Sequence, residues 1–418
     1  MNILMMTNTF TPFLGGVPRS VAAFTRELRK IGHEVVVMAP EFRNAPHAEE
    51  GVIRVPALQH FNGSDFSVSL PIPGYLSSQL EKFRPDLVHS HHPHLLGSTA
   101  LRIASWFECP LVFTHHTMYE DYLHYVPAHA RELRGFVINL VKGYCNLCDH
   151  VIAPSKSVAA LIRRRGVTTP IDVVPTGVYT RQFERGDGAG FRRAHGISEG
   201  AFVVGYVGRL APEKNLSFLA EAVRSVAAGS QRGHFVVVGS GPSAAEIWEI
   251  FREWDLGDHL HLAGSLEGQE LVDAYRAMDV FAFASHTETQ GMVLTEALAA
   301  GRPVVAVDAP GVREVVQDRV NGRLLDADDT QEFASALMEV AMASPVQTEA
   351  YEKAARATAA EFSMDMSVHK LVDVYETLLR RNTGGWKDDS VWGRAKEEIK
   401  AEWELMKNVA EAATLALK

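Results

Sequence analysis

Short apolar, β-branched runs alternate with amphipathic stretches along most of this chain. Residues 2–7, 34–39, 87–90, 111–115, 150–153 and 172–174 read as strands, and helical patterns begin near Val17, Tyr75, Gly97 and Ser155. The pattern restarts after residue 200, with strands expected at 203–207, 235–239, 260–263, 280–284 and 304–306 and helices such as 217–227 between them. Alternation of this kind builds a parallel sheet covered by helices on both faces. Its restart predicts two doubly wound α/β domains, which place ligands beyond the carboxyl ends of their strands. The joint falls in VPTGVYTRQF, residues 174–183, where a strand ends at Pro175 and a turn at Gly177 leads into a polar stretch, so the domains are 1–177 and 178–364. A helix follows over 365–381, and NTGGWKDDS breaks it. Within the final segment, 382–418, Ile399, Trp403, Met406, Val409, Ala413 and Leu417 recur at threes and fours. That spacing predicts an amphipathic helix over 394–417, packed on the body or a partner; its polar face is of mixed charge and not basic, which disfavours membrane insertion.

Composition narrows the classes. Of 418 residues 46% are hydrophobic, enough for filled cores. Lys and Arg total 41 against 51 Asp and Glu, a net charge of −10, which excludes a general nucleic-acid binder. The imbalance is uneven, +2 over residues 1–178 and −12 over the remainder. Three cysteines cannot make a disulfide framework for so long a chain. Cys145-x-x-Cys148 lies in an apolar-periodic stretch with no second pair, as structural cysteines do. No run of about 20 apolar residues is present, and MNILMMTNTF lacks the features of a secretory signal, so a cytoplasmic protein is expected, one that can still touch a membrane surface.

Candidate chemistry gathers at strand exits. Gly15-Gly16 follows the first strand and opens a helix, where backbone N–H groups can meet an anion, although a plain tight turn explains a Gly-Gly equally well. In VVGYVGRLAPEKNLSFL, Arg209 and Lys214 are two cations on one strand-exit loop, suited to a leaving diphosphate or simply solvated. In SHTETQGMVLTEALAAGRPVVA, Glu288 precedes a helix and Glu296 lies within it. The helix start at Gln290-Gly291-Met292 offers N–H groups to phosphate, while the carboxylates accept from hydroxyls, so a ligand carrying both groups is implied. His89, His91, His92 and His94 cluster at a strand end, but they point to opposite faces and lack an acidic ligand at helical spacing, so no metal site is expected. Asp326-Ala327-Asp328 is a DxD string in the loop after NGRLL and reads as a loop.

Gly15-Gly16, Gly208-Arg209 with Lys214, and Glu288-x7-Glu296, in that order, resemble the retaining glycosyltransferases of family 4 over about residues 1–382. The resemblance implies the GT-B fold: α/β, with two Rossmann-like doubly wound domains facing a central cleft. It makes 1–177 the acceptor side, makes 178–364 the nucleotide-sugar side, and takes helix 365–381 back onto the first domain. It puts Arg209 and Lys214 on the diphosphate, Glu296 on the ribose, and Glu288 with the backbone of Gly291, Met292 and Val293 on the transferred sugar. Gly16 would reach the diphosphate from the first domain, and Leu266 would lie near the base. His116 would orient the sugar; His115 is packed or on the acceptor side, with Tyr119 and Tyr122. Such enzymes have no obvious nucleophile, so front-face displacement is expected, with His116, Arg209, Lys214 and Glu288 as the catalytic set. No metal or other cofactor is expected, the nucleotide sugar being a substrate.

HTMYEDYLHY with ETQGMVLTEAL is similar to glucosyltransferases that act on diacylglycerol. That implies glycolipid synthesis, with glucose moved from UDP-glucose to a lipid. Arg163-Arg164-Arg165, Arg131 and Arg134 would then meet an anionic membrane, peripherally at its inner face, unless that basic face only closes over the acidic domain. The alternatives are a soluble sugar or small hydroxyl acceptor with UDP-galactose or GDP-mannose as donor, and a non-catalytic nucleotide-sugar-binding or scaffolding protein. No nucleic-acid partner is expected, and oligomeric state is not legible in the sequence.

Overall fold

Runs such as Ile3, Leu4, Met5 and Met6, all fully buried, lack the polar alternation of a half-exposed strand, and strands of this kind need cover on both faces. They build two parallel sheets. The computed structural model describes residues 1–13, 15–42, 45–46, 49–58, 68–69, 77–120, 130–230, 232–382 and 401–412. The chain divides into unit 1, Met1–Thr176 with Ser367–Lys418, and unit 2, Gly177–Met366.

Unit 1 begins β1 (Asn2–Met6), α1 (Gly16–Lys30), β2 (Glu34–Pro40), β3 (Val52–Val55), the short antiparallel pair β4 (Ala57–Leu58) and β5 (Val68–Ser69), and α2 (Ser77–Phe83). It continues β6 (Leu87–Ser90), α3 (Leu96–Phe107), β7 (Leu111–Thr114), α4 (Ala130–Leu147), β8 (His150–Ala153), α5 (Lys156–Arg164) and β9 (Ile171–Val173). Its main sheet has the order β3-β2-β1-β6-β7-β8-β9. Because β6 and β7 are parallel neighbours, with Ser90 opposite Phe113, the loops carrying His91 and His116 leave the same edge of the sheet. Cys145 on α4 and Cys148 just past its end are buried free thiols, pushed up by burial, Cys145 to about 12.

Unit 2 runs α6 (Thr180–Phe183), α7 (Gly188–Ala194), β10 (Phe202–Val207), α8 (Leu216–Ser230), β11 (Gly233–Val238), α9 (Ala244–Arg252) and β12 (Leu260–Gly264). Then come α10 (Gly268–Ala277), β13 (Val280–Phe283), α11 (Met292–Ala299), β14 (Val304–Val307), β15 (Gly322–Leu325), α12 (Thr330–Ala341) and α13 (Pro345–Glu361). Its sheet order is β12-β11-β10-β13-β14-β15, all parallel, with the switch in winding at β10 and β13. α14 (Met364–Asn382) starts in unit 2 and continues in unit 1.

Two edge strands, β3 and β15, were not anticipated; each has four residues, and Arg54 and Arg323 interrupt their apolar runs. The C-terminal helix, residues 401–412, forms and packs on the body as expected, but by a different face. It docks on unit 1 through Ala401, Leu405, Asn408 and Ala412, and the predicted stripe faces outward, with Trp403 63% and Met406 60% exposed. Asn408 Nδ2 donates to the Leu140 carbonyl (3.1 Å), and Arg102 pairs with Glu402. Close approach is the reason: a Cβ at Gly143 would lie 1.6 Å from Asn408 Oδ1, so the interface takes the helix's small side and not its most apolar one. Ile399, Ala413 and Leu417 lie outside the described residues.

Candidate active site

In unit 2 the exits of β10 and β13 meet. Lys214 ends a short 3-10 turn after β10, and its Nζ lies 3.2 Å from Glu288 Oε2. Both side chains are largely buried, 15% and 19% exposed. The other oxygen of Glu288, Oε1, accepts the Gly291 N–H (3.1 Å). Burial pushes the Glu288 carboxyl up, but the Lys214 ammonium and the N–H groups of Gly291 and Gln290 outweigh it and leave the group below its ordinary value. Gly291 caps α11 with φ 79°, a left-handed conformation that glycine adopts without strain, and Met292 and Val293 form the first turn of the helix. Glu296, one turn on, accepts the Tyr275 hydroxyl at Oε2 (2.8 Å) and is therefore not a plain solvated helix residue.

Arg209 is half-exposed and pairs with buried Glu213, a partner the sequence reading passed over although the two stand four residues apart. Among the described residues, Glu213 Oε2 has no hydrogen-bond partner. Ser285 Oγ donates to the Glu213 carbonyl (3.3 Å), stitching the two strand-exit loops together. Leu266, in the loop after β12, packs against the unit 2 core. Unit 2 thus brings together Arg209, Lys214, Glu288, Gly291, Met292, Val293 and Glu296. The site can hold a diphosphate between cations and helix-start N–H groups, and sugar hydroxyls on its carboxylates.

The unit 1 residues gather differently. His116 Nε2 lies 2.9 Å from His91 Nδ1, and the two rings stack. His89 bridges Thr114 Oγ1 (2.7 Å) and the Tyr375 hydroxyl on α14 (2.5 Å). His92 Nδ1 accepts the Asn8 N–H (3.1 Å). Burial lowers all four rings, His89 and His92 to about 3 and His91 and His116 well below the usual histidine value, so they are neutral at pH 7. Among the described residues, His91 Nε2 has no hydrogen-bond partner, and His91 lines a cavity of about 10 Å³, room for about one water. His115 is buried beside Phe113 and Tyr119 and pushed down to about 4 by burial. Among the described residues, nothing lies within 4 Å of a Cβ placed on Gly16, the first residue of α1. Tyr122 lies outside the described residues.

The arginine cluster is partly committed. Arg165 pairs with buried Glu120, and Arg163 donates to the Ile171 carbonyl (2.8 Å), while Arg164 on α5 is exposed. The Arg131 side chain is outside the described residues. Among the described residues, no three His, Cys, Asp or Glu side chains are arranged to hold a metal ion, and no helix is long and apolar enough to cross a membrane.

The comparisons with known proteins span both units. The family model described as Glycosyltransferase Family 4 matches residues 14–182, and that described as Glycosyl transferases group 1 matches residues 189–358. The chain is 29% identical to the alpha-monoglucosyldiacylglycerol synthase of Streptococcus pneumoniae over 84% of this chain and 80% of the relative. It is 30% identical to the D-inositol 3-phosphate glycosyltransferase of Saccharomonospora viridis over 70% of each. Among solved structures, Anabaena HepE in complex with UDP and glucose superposes with a TM-score of 0.72 at 20% identity, over 90% of this chain and all of that one, which gives the GT-B fold. With cation-lined and carboxylate-lined strand exits on this fold, the chain belongs to glycosyltransferase family 4 and is a glycosyltransferase acting on a nucleotide sugar.

Proposed function

We propose that this enzyme transfers glucose from UDP-glucose to diacylglycerol at a membrane surface, with retention of anomeric configuration. The observation that carries this is the likeness to alpha-monoglucosyldiacylglycerol synthase across 84% of the chain. Arg209 and Lys214 stabilise the UDP leaving group as the anomeric C–O bond breaks, and Glu288 and His116 orient the sugar. The acceptor hydroxyl attacks from the face the leaving group vacates and passes its proton to the departing phosphate oxygen, so no protein nucleophile and no cofactor enter. Leu266 lies on the base side, Gly16 on the diphosphate, and His115 and Tyr119 behind the acceptor. A second assignment, a soluble phosphorylated acceptor, draws on the likeness to D-inositol 3-phosphate glycosyltransferase.

A product panel separates them. Incubation of the full chain with UDP-glucose, UDP-galactose or GDP-mannose, each against diacylglycerol vesicles and inositol phosphate, is read by mass spectrometry and by anomeric coupling in NMR. An α-glucosyl lipid formed from UDP-glucose is expected. Product on inositol phosphate alone supports the second assignment; a β-linked product ends the retaining mechanism.

A further inference from the structure

We propose that Asp328 is a positioning residue for the donor site, its carboxylate tying together the two loops that present Lys214 and Glu288. Asp328 Oδ2 accepts from Asn215 Nδ2 (3.1 Å) and lies 2.9 Å from His286 Nε2. Asn215 directly follows Lys214 and holds a left-handed φ of 54°, so its backbone sets the direction in which the Lys214 loop enters α8. His286 stands two residues before Glu288 on the exit of β13. The loops leave adjacent strands, while Asp328 comes from the exit of β15, two strands beyond β13, and so reaches across the end of β14.

The base from which Asp328 reaches is rigid. Asp329 caps α12 by accepting the Gln331 and Glu332 N–H groups (both 2.9 Å), and Phe333 and Leu337 fasten that helix in the core. Asp328 and His286 are themselves substantially exposed. Exposed pairs of this kind add little to folding stability, whereas small displacements of charged groups act strongly on a bound diphosphate. Asp326-Ala327-Asp328 thus acquires a role unrelated to metal: one of its two carboxylates sets the separation between a cation and a carboxylate of the site.

This inference rests on Lys214 and Glu288 holding the donor, so Lys214→Ala serves as the reference. In the full chain, Kd for UDP and for GDP is measured by calorimetry, KM and kcat for the donor that turns over by product assay, and the unfolding midpoint by heating. Asp328→Ala is expected to raise donor KM and nucleotide Kd about tenfold, with kcat changed less and the midpoint unmoved. Asp328→Asn, which keeps an acceptor oxygen, restores most of the affinity, and adding His286→Ala to Asp328→Ala weakens it little further. Unchanged KM in Asp328→Ala beside an impaired Lys214→Ala overturns the positioning role. A lowered midpoint with no rescue by Asn reduces Asp328 to a structural residue and overturns it as well. If Lys214→Ala itself binds and turns over normally, the donor-site assignment fails first.

Discussion

At the carboxyl ends of β6 and β7, four histidines are kept neutral by burial; at the ends of β10 and β13, a lysine and a glutamate form an ion pair that favours the charged carboxylate. Both strand exits concentrate polar groups, and the physical cost is met in opposite ways. Desolvation removes charge where no counter-charge is near, as at His89 and His91, whereas opposite charge and helix-start N–H groups preserve it at Glu288. A neutral cluster can orient hydroxyls without attracting phosphate; a compensated ion pair can open to hand its cation to one. The largest effect therefore belongs to unit 2. Lys214→Ala should lower kcat/KM at least about tenfold, since one interaction with a developing charge is worth a few kcal/mol. It also strips Glu288 of its ammonium, so the carboxyl should titrate higher, by carbon-13 NMR of the labelled side chain, than in the parent. An unchanged rate would show that the pair is structural.

Acid should separate the two regions next. A histidine held below its usual value binds fewer protons folded than unfolded, so the stability it contributes is present at pH 7 and falls as pH drops below about 6.5, by about 1.4 kcal/mol per pH unit for each such ring, down to its folded value near 3 for His89 and His92. Glu288, lowered from its ordinary value, contributes stability that is lost only at lower pH, as protonation approaches its folded value. Between pH 7 and 5, hydrogen-exchange protection should fall in peptides covering β6 and β7 before it falls in those covering β13 and α11. His261, pushed down to about 4 at the amino-terminal end of β12, responds in the same direction but is half-exposed and more screened. Equal loss in both regions would mean that the histidines are not held neutral.

Tyr375→Phe probes the neutral cluster from its far side. The phenol is fully buried against His89 Nδ1, and its removal leaves that nitrogen without its tyrosine partner, at a cost of about 1–3 kcal/mol in urea unfolding. A change below about 0.5 kcal/mol would mean that another donor or a water takes its place.

What the sequence made legible follows from distance along the chain. Arg209, Lys214, Glu288 and Glu296 could be picked out as candidates because each lies within a few residues of a strand end or helix start, where local rules apply. Their partners divide by the same criterion: Glu213 is four residues from Arg209 and was readable in principle, whereas Tyr275 for Glu296, Tyr375 for His89 and Asp328 for Asn215 come from other elements that only the sheet order brings near. The C-terminal helix and its packing on the body were legible, but its packing face was not, and for a different reason. Periodicity identifies the most apolar face, and the contact at Gly143 selects the smallest one, leaving Trp403, Met406 and Val409 outside.

The smallest effect tests whether unit 2's compensation extends beyond its ion pairs. Tyr275 is fully buried, and its hydroxyl reaches Glu296 Oε2 at 2.8 Å, so a neutral donor there does on one carboxylate what Lys214 does on the other. Tyr275→Phe keeps the ring that packs on Phe183 and Phe281 and removes only this donor. Hydrogen bonds to charged groups are worth roughly 1.5–3 kcal/mol when buried, but Glu296 is partly open and water can take the vacated position, so about 1 kcal/mol or less should be lost from stability. The kinetic signature distinguishes orientation from mere packing. If the hydroxyl aims Glu296 at the ribose, donor KM should rise a few-fold at unchanged kcat, because an interaction made equally in ground and transition states moves KM alone. A fall in kcat with KM constant would place Tyr275 with the reacting sugar instead, and the distinction between a charged and a neutral donor in unit 2 would lose its meaning.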